Sequence, residues 1–386
     1  ESSMVNLMKD RFLFLVQALP AVLCLHAPQP ALRSALLRIP RGVVMETASL
    51  AVPAAPLTWS ESPDETWSYD FDGRSLRVNY IAAGPEQGTP FLLIHGFGAS
   101  GFHWRRNVNV LAAAGYRVYA IDLIGFGLSS KPVCDYDAII WREQCAAFLR
   151  EVGGCGAGRR AILAGNSIGG YAALMTGSKY PELVLGVASL NGAGRFAPTE
   201  AEAAAARDRE AARAARSAVQ VWIDSAVETL VSSLQRAAAY GGLFITKQPV
   251  RIKQVLQQVY PVKPEMADDE LVESIRFPAE DSIGLAPPGQ IPEVFFRIVS
   301  RNGRGGSVPL DELLSELEVP LLLLWGELDP WIVSSKGDAI QARAEALGVD
   351  VRRVSVKAGH CPQDEEPAVV NAALLDFAER LAGSSS

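Results

Sequence analysis

The chain is poor in the side chains that most often announce a mechanism. It has four histidines in 386 residues, His26, His95, His103 and His360. Any reaction needing an imidazole base therefore has few places to find one. Its five cysteines, Cys24, Cys134, Cys145, Cys155 and Cys361, are odd in number and irregular in spacing. No CxxC pair or Cys/His cluster has metal-ligand spacing, which argues against a disulfide framework and a zinc site. Free thiols in a reducing compartment are expected. No dense Lys/Arg patch interleaved with aromatics is present and the formal net charge is −7, so nucleic acid is not an expected partner. No internal repeat is visible.

Core-forming residues are plentiful. Apolar residues make up 49% of the chain and charged residues 20%, the balance of a soluble globular protein with a substantial interior. The length suits one large domain carrying an insertion, or two small domains.

Residues 1–56 differ from the rest. "RFLFLVQALPAVLCL" is an apolar run preceded by Lys9 and Arg11 and interrupted by Pro20. It is too short to span a bilayer comfortably and resembles the apolar part of a signal or targeting segment. The following stretch is rich in Ala, Pro and Arg and poor in acids, as organelle transit peptides are. We read 1–56 as a targeting segment plus linker, with a chloroplast destination expected. A secretory-type first signal and a docking helix of the mature protein are the alternatives.

From residue 57 strands alternate with helices. "TWSYDF" and "LRVNYIAAG" read as two strands joined by the turn "DGRS". "PFLLIHG", "YRVYAIDL", "RRAILAG", "VLGVASLNG", "VPLLLLWG" and "VRRVSVKAG" read as buried strands. Helical patterns fall at about 135–152, 168–179, 333–347 and 366–382. This is an α/β pattern: a mostly parallel central sheet with helices on both faces. The alternation breaks between 193 and 318, where the sequence is mainly helical. Thr199 and Glu202 are placed to form a capping box at the start of its long Ala-rich stretch. The spacing predicts a first core part over 57–192, a helical cap over 193–318, inserted before the strand that bears the acid, and a second core part over 319–386.

"AILAGNSIGGYAAL" carries the chemistry. A G-x-S-x-G turn between a buried strand and a helix is a nucleophile elbow, and it puts forward Ser167 as nucleophile. Its hydroxyl needs a base. His26 lies in the targeting segment, His95 begins the "HGFG" turn and reads as structural, and His103 follows that turn. His360, on the loop after the last strand, is the best placed of the four. Asp329, in "WGELDPW" just past the strand before it, is the candidate acid, with Glu327 its rival. The order Ser–Asp–His is that of α/β-hydrolase triads. Backbone N–H groups of Phe97 and Ile168 are candidate oxyanion donors. Asp122 in "DLIGFGLSS" reads as a turn or capping residue. Pocket candidates are Phe97, Phe102, Trp104, Ile168, Trp331, Trp222 and Phe244, each of which also fits core packing.

Together "HGFG", "DLIGFGLSSKP", "GNSIGG", "LLWGELDPW" and "AGHCPQDEEP" resemble the α/β-hydrolase superfamily over residues 66–383. The elbow, acid and histidine motifs resemble more narrowly its plastid and cyanobacterial pheophytinase and chlorophyll-dephytylase branch. That resemblance implies the α/β-hydrolase fold, with Ser167 as nucleophile, His360 as base, Asp329 as orienting acid, and Phe97 and Ile168 as oxyanion donors. It implies hydrolysis of a carboxylic ester through an acyl-enzyme, with the phytyl ester of a chlorophyll-type pigment as substrate. No cofactor or metal is called for, and peripheral contact with the thylakoid membrane is expected. The alternatives are a plastid esterase or lipase acting on another hydrophobic ester, and a triad-bearing ligand receptor with slow turnover. Serine at the elbow disfavours epoxide opening and dehalogenation, which relatives perform with aspartate there. Carbon–carbon cleavage and perhydrolysis remain open.

Overall fold

The computed structural model describes residues 55–61, 64–156, 158–302 and 308–383. Apart from its last two residues, the expected targeting segment lies outside the described residues.

The chain divides into two compact units. In the larger, Met45–Ala197 with Pro249–Ser386, eight strands form one sheet: β1 (Asp64–Phe71), β2 (Arg74–Ala83), β3 (Pro90–Ile94), β4 (Arg117–Ile121), β5 (Ala161–Asn166), β6 (Val184–Leu190), β7 (Leu321–Gly326) and β8 (Val351–Val356). Their order is β1-β2-β4-β3-β5-β6-β7-β8. β2 pairs antiparallel with both β1 and β4, and every other pairing is parallel. All eight coincide with runs read from the sequence.

The β1–β2 connection turns on Asp72 and Gly73, both at positive φ (51° and 71°). That conformation matches the twist of a two-residue hairpin. The Asp70 carboxylate accepts the Gly73 N–H at 2.9 Å and fixes the turn.

The central strands are apolar on both faces because helices cover both. Leu92 and Ile94 of β3 point into one core with Leu163 and Leu323, while Phe91 and Leu93 point into the other with Ile162 and Leu324. α1 (Val108–Ala113), too short to register as a sequence period, and α12 (Pro367–Gly383) supply Val108, Leu111, Leu374 and Phe377 to the second core. α2 (Ala138–Glu151), α3 (Ile168–Lys179), α9 (Leu310–Ser315) and α10 (Ser334–Ala346) pack on the first. This unit also holds α6 (Pro249–Val259), α7 (Asp269–Arg276), α8 (Ile291–Asn302) and the short α11 (Pro362–Glu365).

The described part of the smaller unit is Pro198–Gln248, with α4 (Glu200–Ala214) and α5 (Ala218–Thr246). The expected capping box is present: Thr199 Oγ1 accepts the Glu202 N–H, and the Glu202 carboxylate accepts the Thr199 N–H. Ser217 and Gln220 repeat the device at the start of α5. α4 has no buried residue, as its mixed charges lead one to expect. α5 exposes Val219, Trp222, Leu230, Leu234 and Phe244. Among the described residues no helix is long and apolar enough to cross a membrane.

Candidate active site

Parallel strands end on one edge of the sheet, and in such sheets ligands bind beyond that edge. The loops following β3, β5, β7 and β8 carry the 95–98 turn, Ser167, Asp329 and His360 respectively.

Ser167 is one of three non-glycine residues at positive φ among the described residues, with φ 56° and ψ −116°. Such a conformation is held only where the surroundings over-determine it. Here the Ser167 N–H donates to Leu190 O at 2.9 Å, while Ser167 O accepts from Tyr171 N at 3.1 Å and Ala193 N at 2.9 Å. The glycines make the turn sterically feasible. A Cβ on Gly165 would stand 2.1 Å from Gly169 O, and one on Gly169 would stand 2.3 Å from Ile94 O.

Asp329 is buried, and its carboxylate accepts four bonds. Oδ1 takes the N–H groups of Trp331 (2.7 Å) and Ile332 (3.0 Å). Oδ2 takes His360 Nδ1 (2.7 Å) and the side-chain amide of Asn191 (2.7 Å). Burial pushes the Asp329 carboxyl up, but the His360 bond and charge and the two backbone donors outweigh it and hold the group below its ordinary value. A carboxylate that only accepts requires the proton on His360 Nδ1. In neutral imidazole that leaves Nε2 as the acceptor, the tautomer a general base needs. Glu327, the rival acid, is solvent-exposed.

The histidine loop is tied to the elbow. Asn166, next to Ser167, donates from Nδ2 to His360 O at 2.8 Å. The 95–98 turn lies against the elbow as well, since a Cβ on Gly96 would be 3.3 Å from Ser167 Cβ. The N–H groups of Phe97 and Ile168 donate to no other group among the described residues.

The other histidines are structural in geometry. His95 Nε2 accepts from Leu123 N at 3.0 Å, so its Nδ1 donates to Gly96 O at 2.7 Å. Burial lowers its pKa to about 4. His103 Nε2 meets Tyr260 Oη at 2.6 Å, and burial lowers it to about 4 too. Asp122 is a turn residue: Oδ1 accepts Gly101 N (2.6 Å) and Oδ2 accepts Leu128 N (2.6 Å).

The aromatic candidates separate. The Trp331 ring centre is 4.9 Å from that of His360, and 46% of Trp331 is exposed. Phe97 is 42% exposed and packs beside Phe126 and Phe295. Ile168 is partly buried against the first core. Trp104 is fully buried in the second core and Phe102 is buried against Trp59 and the Arg105 guanidinium, so packing accounts for both. Trp222 and Phe244 are exposed on α5, in the smaller unit.

Two polar residues that support the acid and the histidine loop carry no signal of that role in the sequence: Asn191, bonded to Asp329, and Glu365, bonded to Gly359 N beside His360. Asn191 sits at φ 45° after β6 and binds Gly326 N through Oδ1 as well as Asp329 through Nδ2. Its Asn-Gly pair signals a turn. Nothing local signals that the turn faces the end of β7.

Comparison with known proteins agrees with this architecture. Residues 91–373 match the model of the alpha/beta hydrolase family, and the chain belongs to that family. It is 28% identical over 339 residues to a chloroplastic pheophytinase of Arabidopsis thaliana, covering 77% of this chain and 63% of that protein. It is 26% identical over 316 residues to a 2-hydroxy-6-oxononadienedioate/2-hydroxy-6-oxononatrienedioate hydrolase of Burkholderia vietnamiensis, covering 80% and 93% of the two chains. It is 33% identical over 144 residues to the bifunctional epoxide hydrolase 2 of Sus scrofa, with 37% of this chain and 25% of that one covered. The chain thus spans less than two thirds of the pheophytinase and a quarter of the epoxide hydrolase. Among solved structures, a bacterial membrane phospholipase A is 26% identical at a TM-score of 0.58, with 83% and 87% covered. The naproxen esterase of Bacillus subtilis, 21% identical, shares the fold at a TM-score of 0.55 with 83% and 93% covered. The family match and the shared fold establish the chain as an α/β hydrolase.

Proposed function

We propose that the protein hydrolyses a carboxylic ester through an acyl-enzyme on Ser167, and that its substrate is the phytyl ester of a chlorophyll-type pigment. The observation that carries the reading is the 2.7 Å bond from His360 Nδ1 to a buried Asp329, on a loop bonded to the residue beside the Ser167 elbow. His360 Nε2 takes the Ser167 proton as Oγ attacks the ester carbonyl carbon. The Phe97 and Ile168 N–H groups receive the oxyanion, at ~3–4 kcal/mol each in comparable sites. His360 returns the proton to the leaving alcohol. It then deprotonates a water, whose oxygen attacks the acyl carbon, and hands that proton to the departing Ser167 Oγ, which restores the free serine.

The pigment assignment draws on the pheophytinase relative and on Phe97 and Trp331, which offer aromatic surface at the site. In this reading the helical stretch 193–318 is the cap. The apolar side chains exposed on α5 suit peripheral contact with a thylakoid surface, and the destination is the chloroplast.

The test offers purified protein pheophytin a, chlorophyll a and p-nitrophenyl esters, beside Ser167→Ala. Release of phytol by the parent and not by the variant supports the proposal. Short-ester cleavage with neither pigment attacked removes the pigment claim and leaves the esterase. Binding of pigment with a single slow turnover favours the receptor alternative.

A further inference from the structure

Glu365 is fully buried, five residues after His360. Among the described residues its carboxylate faces no cation; Lys263 pairs instead with the neighbouring Glu366. A buried carboxylate without a counter-charge is costly unless its lone pairs are filled. Three backbone N–H groups fill them. Oε1 accepts from Val262 N at 2.7 Å and Lys263 N at 2.9 Å, and Oε2 accepts from Gly359 N at 2.5 Å.

These donors lie on two segments far apart in sequence. Gly359 immediately precedes His360. Val262 and Lys263 belong to the turn after α6, in the helical insertion. The same two segments meet again where the His360 N–H donates to Val259 O at 3.0 Å. They are in close contact, since a Cβ on Gly359 would stand 2.2 Å from Val259 O. Asp364, also fully buried, adds a second tie by accepting from Arg105 Nε at 3.0 Å and Tyr260 Oη at 3.0 Å.

We propose that Glu365 is a positioning residue for the reaction: its carboxylate clamps the turn after α6 to the backbone of His360 and so sets where the imidazole stands. The inference rests on the reading of His360 as the base. The side chain touches neither the reacting atoms nor Ser167. It acts by denying the histidine loop freedom to slide, and small misplacements of a base are costly in rate. Charge and shape are both required. A glutamine has one acceptor and one donor end, so either Gly359 N or the Val262/Lys263 pair must face its NH2 group.

The experiment compares the parent, Glu365→Gln and Glu365→Asp in the full chain. The readouts are kcat and KM on p-nitrophenyl butyrate and the rate at which a fluorophosphonate labels Ser167. We expect Glu365→Gln to lower kcat and the labelling rate together by 10-fold or more, since ~1.4 kcal/mol corresponds to tenfold, with KM changed less than about twofold. Glu365→Asp, which keeps the charge, should recover part of both. Parent-like kcat and labelling in a folded Glu365→Gln overturns the inference, whereas a parent that does not label at Ser167 overturns the reading of the site beneath it. If Glu365→Gln does not fold, amide hydrogen exchange in the parent decides. Strong protection of Gly359, Val262 and Lys263 supports the clamp, and fast exchange at these amides overturns it.

Discussion

The side-chain amide of Asn191 donates to Asp329 Oδ2 at 2.7 Å, the oxygen that also accepts from His360 Nδ1. The amide orientation is fixed, because Asn191 Oδ1 already accepts Gly326 N at 2.9 Å. A residue at the end of β6 thus holds the acid at the end of β7. Asn191→Gly keeps the positive φ but removes both bonds, and a hydrogen bond to a charged group is worth about 1.5–3 kcal/mol. The expected result is a kcat lowered at least tenfold with little change in KM. Asn191→Asp places a second carboxylate against Asp329, and like charges raise the pKa of one of the pair. The two carboxylates together hold on to a proton at a higher pH than Asp329 does alone, so the acid limb of the kcat/KM profile should move up. A superimposable profile would remove Asn191 from the account.

Gly169 tests the steric argument for the elbow. Its missing Cβ leaves room for Ile94 O and His95 O, which an alanine would approach to 2.3 Å and 2.5 Å. Backbone cannot yield as a side-chain end can, and overpacking costs about 1–3 kcal/mol or more. Gly169→Ala should lower the melting temperature by several degrees and lose most esterase activity. Parent-like stability would show that strand and helix can separate here at no cost.

The buried histidines set a pH dependence of stability. His95 and His103 are both lowered by burial to about 4 from an ordinary 6.5. Above 6.5 both states are neutral and this stability is fully present. As pH falls from 6.5 towards 4 the unfolded chain takes up protons that the folded protein refuses, so stability is lost. The loss reaches about 3 kcal/mol per histidine. Urea melts between pH 7.5 and 4.5 should show a falling midpoint, with a smaller fall in His103→Asn. A midpoint independent of pH would contradict the burial of neutral imidazole at these positions.

Much of this was legible in the sequence, for identifiable reasons. The strands were visible because a sheet covered on both faces makes its central strands continuous apolar runs, as in "PFLLIHG" and "VPLLLLWG". The elbow, acid and histidine could be nominated because each follows such a run and parallel strands end on one edge. The supporting bonds were not legible, because they are made across the fold. Asn191 meets Asp329 across 138 residues, and Glu365 meets Val262 across 103. α1 was missed because six residues are too few to establish a helical period. Trp104, a pocket candidate by residue type, instead fills the core between the sheet and α1 with its indole.

Phe97 and Trp331 make a prediction about substrate size. Aromatic side chains contribute large apolar contact area, and these two are exposed beside the site. Phe97→Ala and Trp331→Ala should raise KM for long-chain p-nitrophenyl esters by about 5- to 30-fold, on the basis of ~1–2 kcal/mol of lost apolar contact. The acetate ester should be nearly unaffected. Equal effects on short and long esters would show that neither ring contacts the substrate chain.

The central claim is that Ser167 is the nucleophile, and covalent trapping tests it most directly. The parent is treated with a fluorophosphonate, digested and analysed by mass spectrometry beside Ser167→Ala. One adduct per chain is expected, on the peptide containing Ser167, in step with complete loss of hydrolytic activity, and no adduct in the variant. An adduct on another residue, or full activity with Ser167 modified, would contradict the claim.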